Sequence, residues 1–208
     1  MIWFTSDTHF GHENIIKLCE RPWSDAASME RDLVATINAC VGKNDTLYHL
    51  GDFSFKIGID DQERILRRIN CKDIHIIPGN HDKHLPEIAA HKLIKLEPPI
   101  LEIKQDGRRI TLSHYPIADW AGMRQGALHL HGHIHSRGLD YNEACRSRGL
   151  LRYDVGMDAN GYAPVSLSQV MAFFNGVQPN GRMTWDEWMG FDAKPAKEPR
   201  FAFIKNIF

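Results

Sequence analysis

Asp7 and His9 stand two apart, just after the apolar run Ile2-Trp3-Phe4. Asp52 follows a second run, Thr46 to Leu50. A third, Ile74 to Ile77, is stopped by Pro78-Gly79 and followed at once by Asn80, His81 and Asp82. Farther along come His114 in LSHYP and the pair His133 and His135 in GHIH. Asp7, Asp52, Asn80 and the histidines 9, 114, 133 and 135 form a set of nitrogen and oxygen donors without thiolate. The set is too rich for one tetrahedral ion and suits two ions that share a carboxylate. Such donors favour divalent Mn, Fe, Zn, Ni or Co over copper(I) or an iron–sulfur cluster. The corner after Ile77 then offers a ligand, a proton donor and that donor's orienting carboxylate in one turn.

These residues need a frame that gathers them. The runs 2–4, 46–50 and 74–77 read as buried strands, each ending where a candidate ligand begins. Between them lie helical patterns: a short one over 12–19, and one capped by Ser28 with Leu33, Val34, Ile37, Cys40 and Val41 on one face. A third starts at a capping box, Asp60 with Glu63, ahead of Ile65, Leu66 and Ile69. Alternating strand and helix predicts an α/β fold with parallel strands, which puts ligands at the strands' carboxyl ends. Gly51, Gly79 and Gly132 let the chain turn sharply beside them. The second half changes character. Residues 100–104 and 108–113 flank Gln105-Asp106-Gly107 as a hairpin, 128–132 and 151–155 read as strands, and Ser166 caps a helix bearing Val170, Phe173 and Phe174. The sum is a mixed-sheet sandwich over residues 1–175, with 176–208, rich in Pro and Trp, as an appendage packed on it.

The chain has 208 residues, enough for a domain with a sizeable core. Hydrophobic residues make up 43% and charged residues 25%, the balance of an ordinary globular protein. A net charge of -1 gives no bulk attraction to nucleic acid or to an anionic membrane. The polar start MIWFTSDTH does not read as a signal peptide. No apolar stretch approaches the roughly 20 residues of a membrane span. Cys19, Cys40, Cys71 and Cys145 lack CxxC spacing, so a zinc ribbon is not indicated and the reading is cytoplasmic.

DTH at 7–9, GDFSF at 51–55, GNHD at 79–82, SHYP at 113–116 and GHIH at 132–135 together resemble the five blocks of the calcineurin-like metallophosphoesterases, in order and in approximate spacing. VGMDANGYAPVSL, 155–167, is similar to the closing block of small bacterial and phage members. The resemblance spans residues 1 to about 170 and implies a four-layer α/β/β/α sandwich of two mixed sheets flanked by helices. It implies a phosphoric ester hydrolase acting on phosphodiesters or small organic phosphates, with a hydroxide shared by two divalent ions, manganese first, as nucleophile. Asp7, His9 and His135 would hold one ion, Asn80, His114 and His133 the other, and Asp52 would bridge them. His81 would stand by the leaving group, with Asp82 and Asp52 setting its tautomer and charge. A nuclease is the enzymatic alternative, and a non-catalytic metal-binding scaffold the other. The role of 176–208 is open between a lid and a homodimer contact.

Taken singly, Asp7 reads equally as a helix cap, Asp52 and Asn80 as turn residues and His114 as a core histidine. Jointly they do not, because caps and turns need not fall in five ordered blocks. His12 and Asn14 line the pocket or start a surface helix, and His49 points into the sheet. His129 and His131 share a strand face, and His131, in step with His133, is a candidate to support a ligand. His75, His84 and His91 read as solvent-facing. Arg21, Arg124 and Arg137 read as surface charges, each able to clamp a phosphate. Trp185, Trp188 and Phe191 read as packing.

Overall fold

In the computed structural model, which describes residues 1–180, the N-terminal apolar run forms β1 (Ile2–Thr5) and lies at the heart of a five-stranded sheet. Strand β2 (Thr46–His49) pairs with it in parallel, Phe4 opposite Tyr48. Beyond lie β3 (Asp73–Ile76) and the two-residue β4 (Lys95–Leu96), also parallel. On the other side, β9 (Val165–Ser166) closes the sheet antiparallel to β1, giving the order β4-β3-β2-β1-β9. The second sheet runs β5-β6-β7-β8: Ile100–Gln105, Arg108–Ser113, Leu128–His131 and Arg152–Asp154. Its first pair is antiparallel and the rest parallel. The β5–β6 turn is two residues, with φ of 50° at Asp106 and 77° at Gly107, the backbone of a type I′ hairpin. Gln105, expected in the turn, belongs to the strand and pairs with Arg108.

Period-two alternation sorts the side chains between two cores. Phe4, Leu50, Ile77, Ile110, Leu112, Leu128, Leu130 and Tyr153 fill the space between the sheets. Leu47, Ile74 and Ile76 face the other way, onto Ile15, Leu33, Ile37, Ile65 and Ile88 from four helices. These are α1 (Glu13–Leu18), α2 (Ala26–Cys40), α3 (Ile59–Arg68) and α4 (Leu85–Ala90). On the outer face of the second sheet, α5 (Asp140–Ser147) packs on β8. The result is the expected sandwich of two mixed sheets flanked by helices. Helix α6 (Leu167–Phe173) follows β9, and Ser166 caps it with a full capping box to Gln169.

Two expected caps shift. Helix α2 begins at Asp25, whose carboxylate accepts from Ser28 N–H at 2.7 Å, so Ser28 lies inside the first turn. Helix α3 is entered through Gly58, and the Asp60–Glu63 box does not form because both residues already lie within the helix. Among the described residues no helix is long and apolar enough to cross a membrane. Of the expected appendage only 176–180 is described; there Asn180 N–H donates to Gly149 O at 3.0 Å. Trp185, Trp188 and Phe191 lie outside the described residues.

Candidate metal centre

The loops that leave β1 and β2 run side by side. Asp7 N–H donates to Gly51 O, His9 N–H to Asp52 O and Phe10 N–H to Phe53 O, each at 3.0 Å. Pairing therefore continues past the strand ends and delivers Asp7, His9 and Asp52 together. The backbone is left-handed at five of the seven expected ligands: φ is 58° at Asp7, 49° at His9, 55° at Asp52, 74° at His133 and 48° at His135. For a non-glycine residue that conformation costs about 1–3 kcal/mol and persists where the surroundings impose it. Gly132 gives the room. A Cβ there would lie 1.9 Å from Ser6 Oγ and 2.3 Å from Asp7 Oδ2.

The seven side chains meet as two groups. In the first, His9 Nε2 lies 3.2 Å from His135 Nε2, and Asp7 Oδ1 lies 3.9 and 3.7 Å from those nitrogens. In the second, His114 Nε2 lies 3.0 Å from Asn80 Oδ1 and 3.2 Å from His133 Nδ1. Asp52 Oδ2 stands between them, 3.5 Å from His9 Nε2 and 3.6 Å from His114 Nε2. Backbone contacts tie the halves further, since His133 N–H donates to Asp7 Oδ2 at 2.9 Å.

This arrangement fits cations. Asp7 Oδ1 is buried and has no hydrogen-bond partner among the described residues. A buried carboxylate oxygen left so is costly unless a positive charge stands beside it. Burial pushes the Asp7 carboxyl up to about 6, against the charges of His135 and His114 and the hydrogen bonds from Ser6 and His133. Burial, then the neighbouring charge of His135, pushes the His9 imidazole far down, toward the neutral form that ligates. Imidazole nitrogens that face one another at 3.2 Å need a proton or a metal between them.

Asp158 was not foreseen. Its Oδ2 faces His135 Nδ1 at 2.8 Å, which turns Nε2 of that ring toward Asp7 and His9. Arg21 holds Asp158 with two bonds, from Nε at 2.9 Å and Nη2 at 2.8 Å. The same guanidinium donates to the carbonyls of Asp7 at 2.7 Å and Thr8 at 3.1 Å. Arg21 is thus neither a surface charge nor free to clamp phosphate; its donors are spent inside the protein. Burial opposes a charge on His135, but Asp158, Cys19 and Asp7 outweigh it and hold the ring up to about 10. Arg137 is exposed and pairs with Glu20, and Arg124 is exposed in the short turn 123–125.

Asn80 and His81 face the same space. His81 N–H donates to Asp52 Oδ1 at 3.0 Å, and its Nε2 lies 3.9 Å from Asp52 Oδ2. Asp82 behaves differently from expectation. Its carboxylate accepts the N–H of Asp52, Phe53 and Gly79 at 2.6, 2.9 and 2.9 Å, and none of its hydrogen bonds goes to the His81 ring. It clamps two ligand loops, and Asp52 is the carboxylate that faces His81. His131 also departs from expectation. Strand β7 ends at His131 and the backbone turns left-handed at His133, so the alternation does not carry through to His133. Its ring bonds to Gly132 O at 2.9 Å and Tyr141 Oη at 3.2 Å instead. His129 spans Thr111 O and Ile117 N–H. His49 is buried, bonds Thr8 Oγ1 at 2.9 Å and is pushed by burial down to about 3. His75 is largely buried against Glu97 rather than solvent-facing, while His84 and His91 are exposed. His12 stacks on Phe55 with ring centroids 3.8 Å apart.

Comparison with known proteins places the chain in a family and agrees with its fold. Residues 1–156 match the model of the calcineurin-like phosphoesterase superfamily domain. The chain is 30% identical over 170 residues to the uncharacterized protein MJ1445 of Methanocaldococcus jannaschii, covering 82% of this chain and 89% of that one. It is 29% identical over 162 residues to the gene 66 protein of Mycobacterium phage D29, covering 65% and 79%. The crystal structure of the protein of unknown function AQ665 from Aquifex aeolicus superposes with a TM-score of 0.66 at 27% identity, covering 83% of this chain and 98% of that one. The five blocks, the paired sheets and the family match lead to one conclusion: the chain belongs to the calcineurin-like phosphoesterase superfamily.

Proposed function

We propose that this phosphoesterase is a phosphodiesterase, or hydrolase of small organic phosphates, that works with two divalent ions, manganese first, with iron, zinc, nickel or cobalt as substitutes. One observation carries the reading: Asp52 Oδ2 stands 3.5 and 3.6 Å from imidazoles of two separate donor groups, the position of a shared ligand. Asp7, His9 and His135 would hold one ion, and Asn80, His114 and His133 the other. When bound, the ions supply Lewis acidity and lower the pKa of a water toward roughly 7.

The chain's own residues do the rest. Asp158 and Arg21 fix the His135 ring so that Nε2 faces inward. Asp82 locks the Asp52 loop to the Gly79 loop through three backbone N–H groups. His81 lies beside Asp52 and is partly exposed, placed to give a proton to the leaving oxygen. Such general acid help is worth about 10²–10⁴-fold. The test is a screen of manganese-loaded protein against bis-p-nitrophenyl phosphate, p-nitrophenyl phosphate, cyclic nucleotides and single-stranded DNA. Turnover of a diester that stops on chelation is the expected result. No turnover on any ester with any of the five metals would refute it.

A further inference from the structure

A cleft of about 190 Å³ has His81 in its wall. Phe55, Lys56, Ile57, His81, Lys83 and His84 line it, and no carboxylate does. His81 is the shared wall: its ring lies 5.6 Å from that of His9 and 4.9 Å from that of Phe55. Several cations elsewhere are held by carboxylates. Arg64 and Arg68 hold Glu30, Lys95 holds Asp73 and Arg137 holds Glu20. Lys56, Lys83 and His84 have no ion pair among the described residues; Lys56 lies 4.9 Å over the Phe55 ring. Lys56 also carries a left-handed backbone, φ 55°. Unpaired cations around a small hollow make a seat for an anion. The hollow is well below the roughly 300–1,000 Å³ that encloses a whole drug-sized ligand, so it admits one small group.

We infer that this cleft binds a second phosphate, carried by the leaving alcohol of the substrate. The inference rests on the phosphoesterase reading, in which His81 faces the leaving oxygen, so that whatever lies beyond that oxygen enters the cleft. The substrate class is then a phosphodiester whose leaving alcohol is itself phosphorylated. Its source is a nucleic acid strand, where the next phosphate serves, or a small phosphorylated alcohol. Hydrolysis breaks the P–O bond to that alcohol and forms one to the water oxygen. The water's proton passes to solvent, the leaving oxygen takes one from His81, and His81 regains its proton from solvent, so the step balances. Phe55 and Ile57 cover the carbons between the two phosphates.

Two measurements test this with the full chain. The first compares kcat/KM of the manganese-loaded protein on thymidine dinucleotide bearing no terminal phosphate, a 5′-phosphate or a 3′-phosphate. One phosphorylated form should exceed the bare dinucleotide at least about tenfold, the worth of one charge-assisted contact. In Lys56→Met/Lys83→Met that ratio should collapse toward one. Equal rates on all three in the wild type, or an unchanged ratio in the variant, would overturn the inference. A further gain from dinucleotide to hexanucleotide assigns a strand as the source, and no gain assigns a small molecule. The second measurement is calorimetric titration of metal-free protein with glycerol 3-phosphate. Binding by the wild type that is lost in the double variant is expected; equal binding by both, or by neither, would contradict the cleft. If none of the screened esters is hydrolysed with any of the five metals while glycerol 3-phosphate binds as described, the phosphoesterase reading fails and the anion seat stands.

Discussion

Asp158 shows how a residue outside the ligand set governs it. Asp158→Asn keeps the shape but loses the charge that orients His135. Metal affinity should fall about 10–100-fold, measured by calorimetric titration with manganese. Asp158→Ala goes further, because it leaves the buried Arg21 guanidinium unpaired. A loss of about 3–5 kcal/mol in urea unfolding is expected. His81→Ala makes the opposite prediction. The variant should keep its metal, by elemental analysis, and lose about 10²–10⁴ in turnover on alkoxide leaving groups. A variant equal to wild type on such esters would remove His81 from the acid role. The convergence of these seven residues was legible because each follows an apolar run that reads as a strand. Asp158 was not, because in D-A-N-G it has the composition of a turn and its partner Arg21 is 137 positions away. Arg21 itself looks like any surface arginine until the fold buries it.

At the scale of elements, the site is a set of loop crossings made possible by missing side chains. Gly132→Ala would drive a Cβ into Ser6 and the Asp7 carboxylate. It should lower the urea midpoint and weaken metal binding at the Asp7 group, and normal metal content with normal stability would contradict the tight crossing. The three short apolar runs and the cap at Ser166 were readable, since both signals are local. Helix α5 was not: DYNEACRS buries only Asn142 and Cys145, too few apolar residues to show a period. Strands β4 and β9 have two residues each, below any periodic signal. The α2 cap had two good candidates three positions apart, Asp25 and Ser28 being both favoured types. Only the entry angle of the chain decides between them.

At the scale of the whole molecule, the cage spans both sheets. Asp7, His9 and Asp52 come from the first, and His114, His133 and His135 from the second, so packing between the sheets sets the distance between the two halves. Phe4 is fully buried in that interface. Phe4→Ala should cost about 3–5 kcal/mol in chemical denaturation. It should also weaken metal binding without touching a ligand, because Asp7 and His133 would no longer meet at fixed spacing. Strand–helix alternation followed by a hairpin made this sandwich predictable, whereas the placing of His131 against Tyr141 needed the observed strand end at His131.

The most direct measurement is the metal content of the manganese-loaded protein by elemental analysis, beside that of Asp52→Ala. Two ions per chain in the wild type, with loss from both positions in the variant, is the predicted result. One ion or none in the wild type, or an Asp52→Ala protein that still carries two, would contradict it.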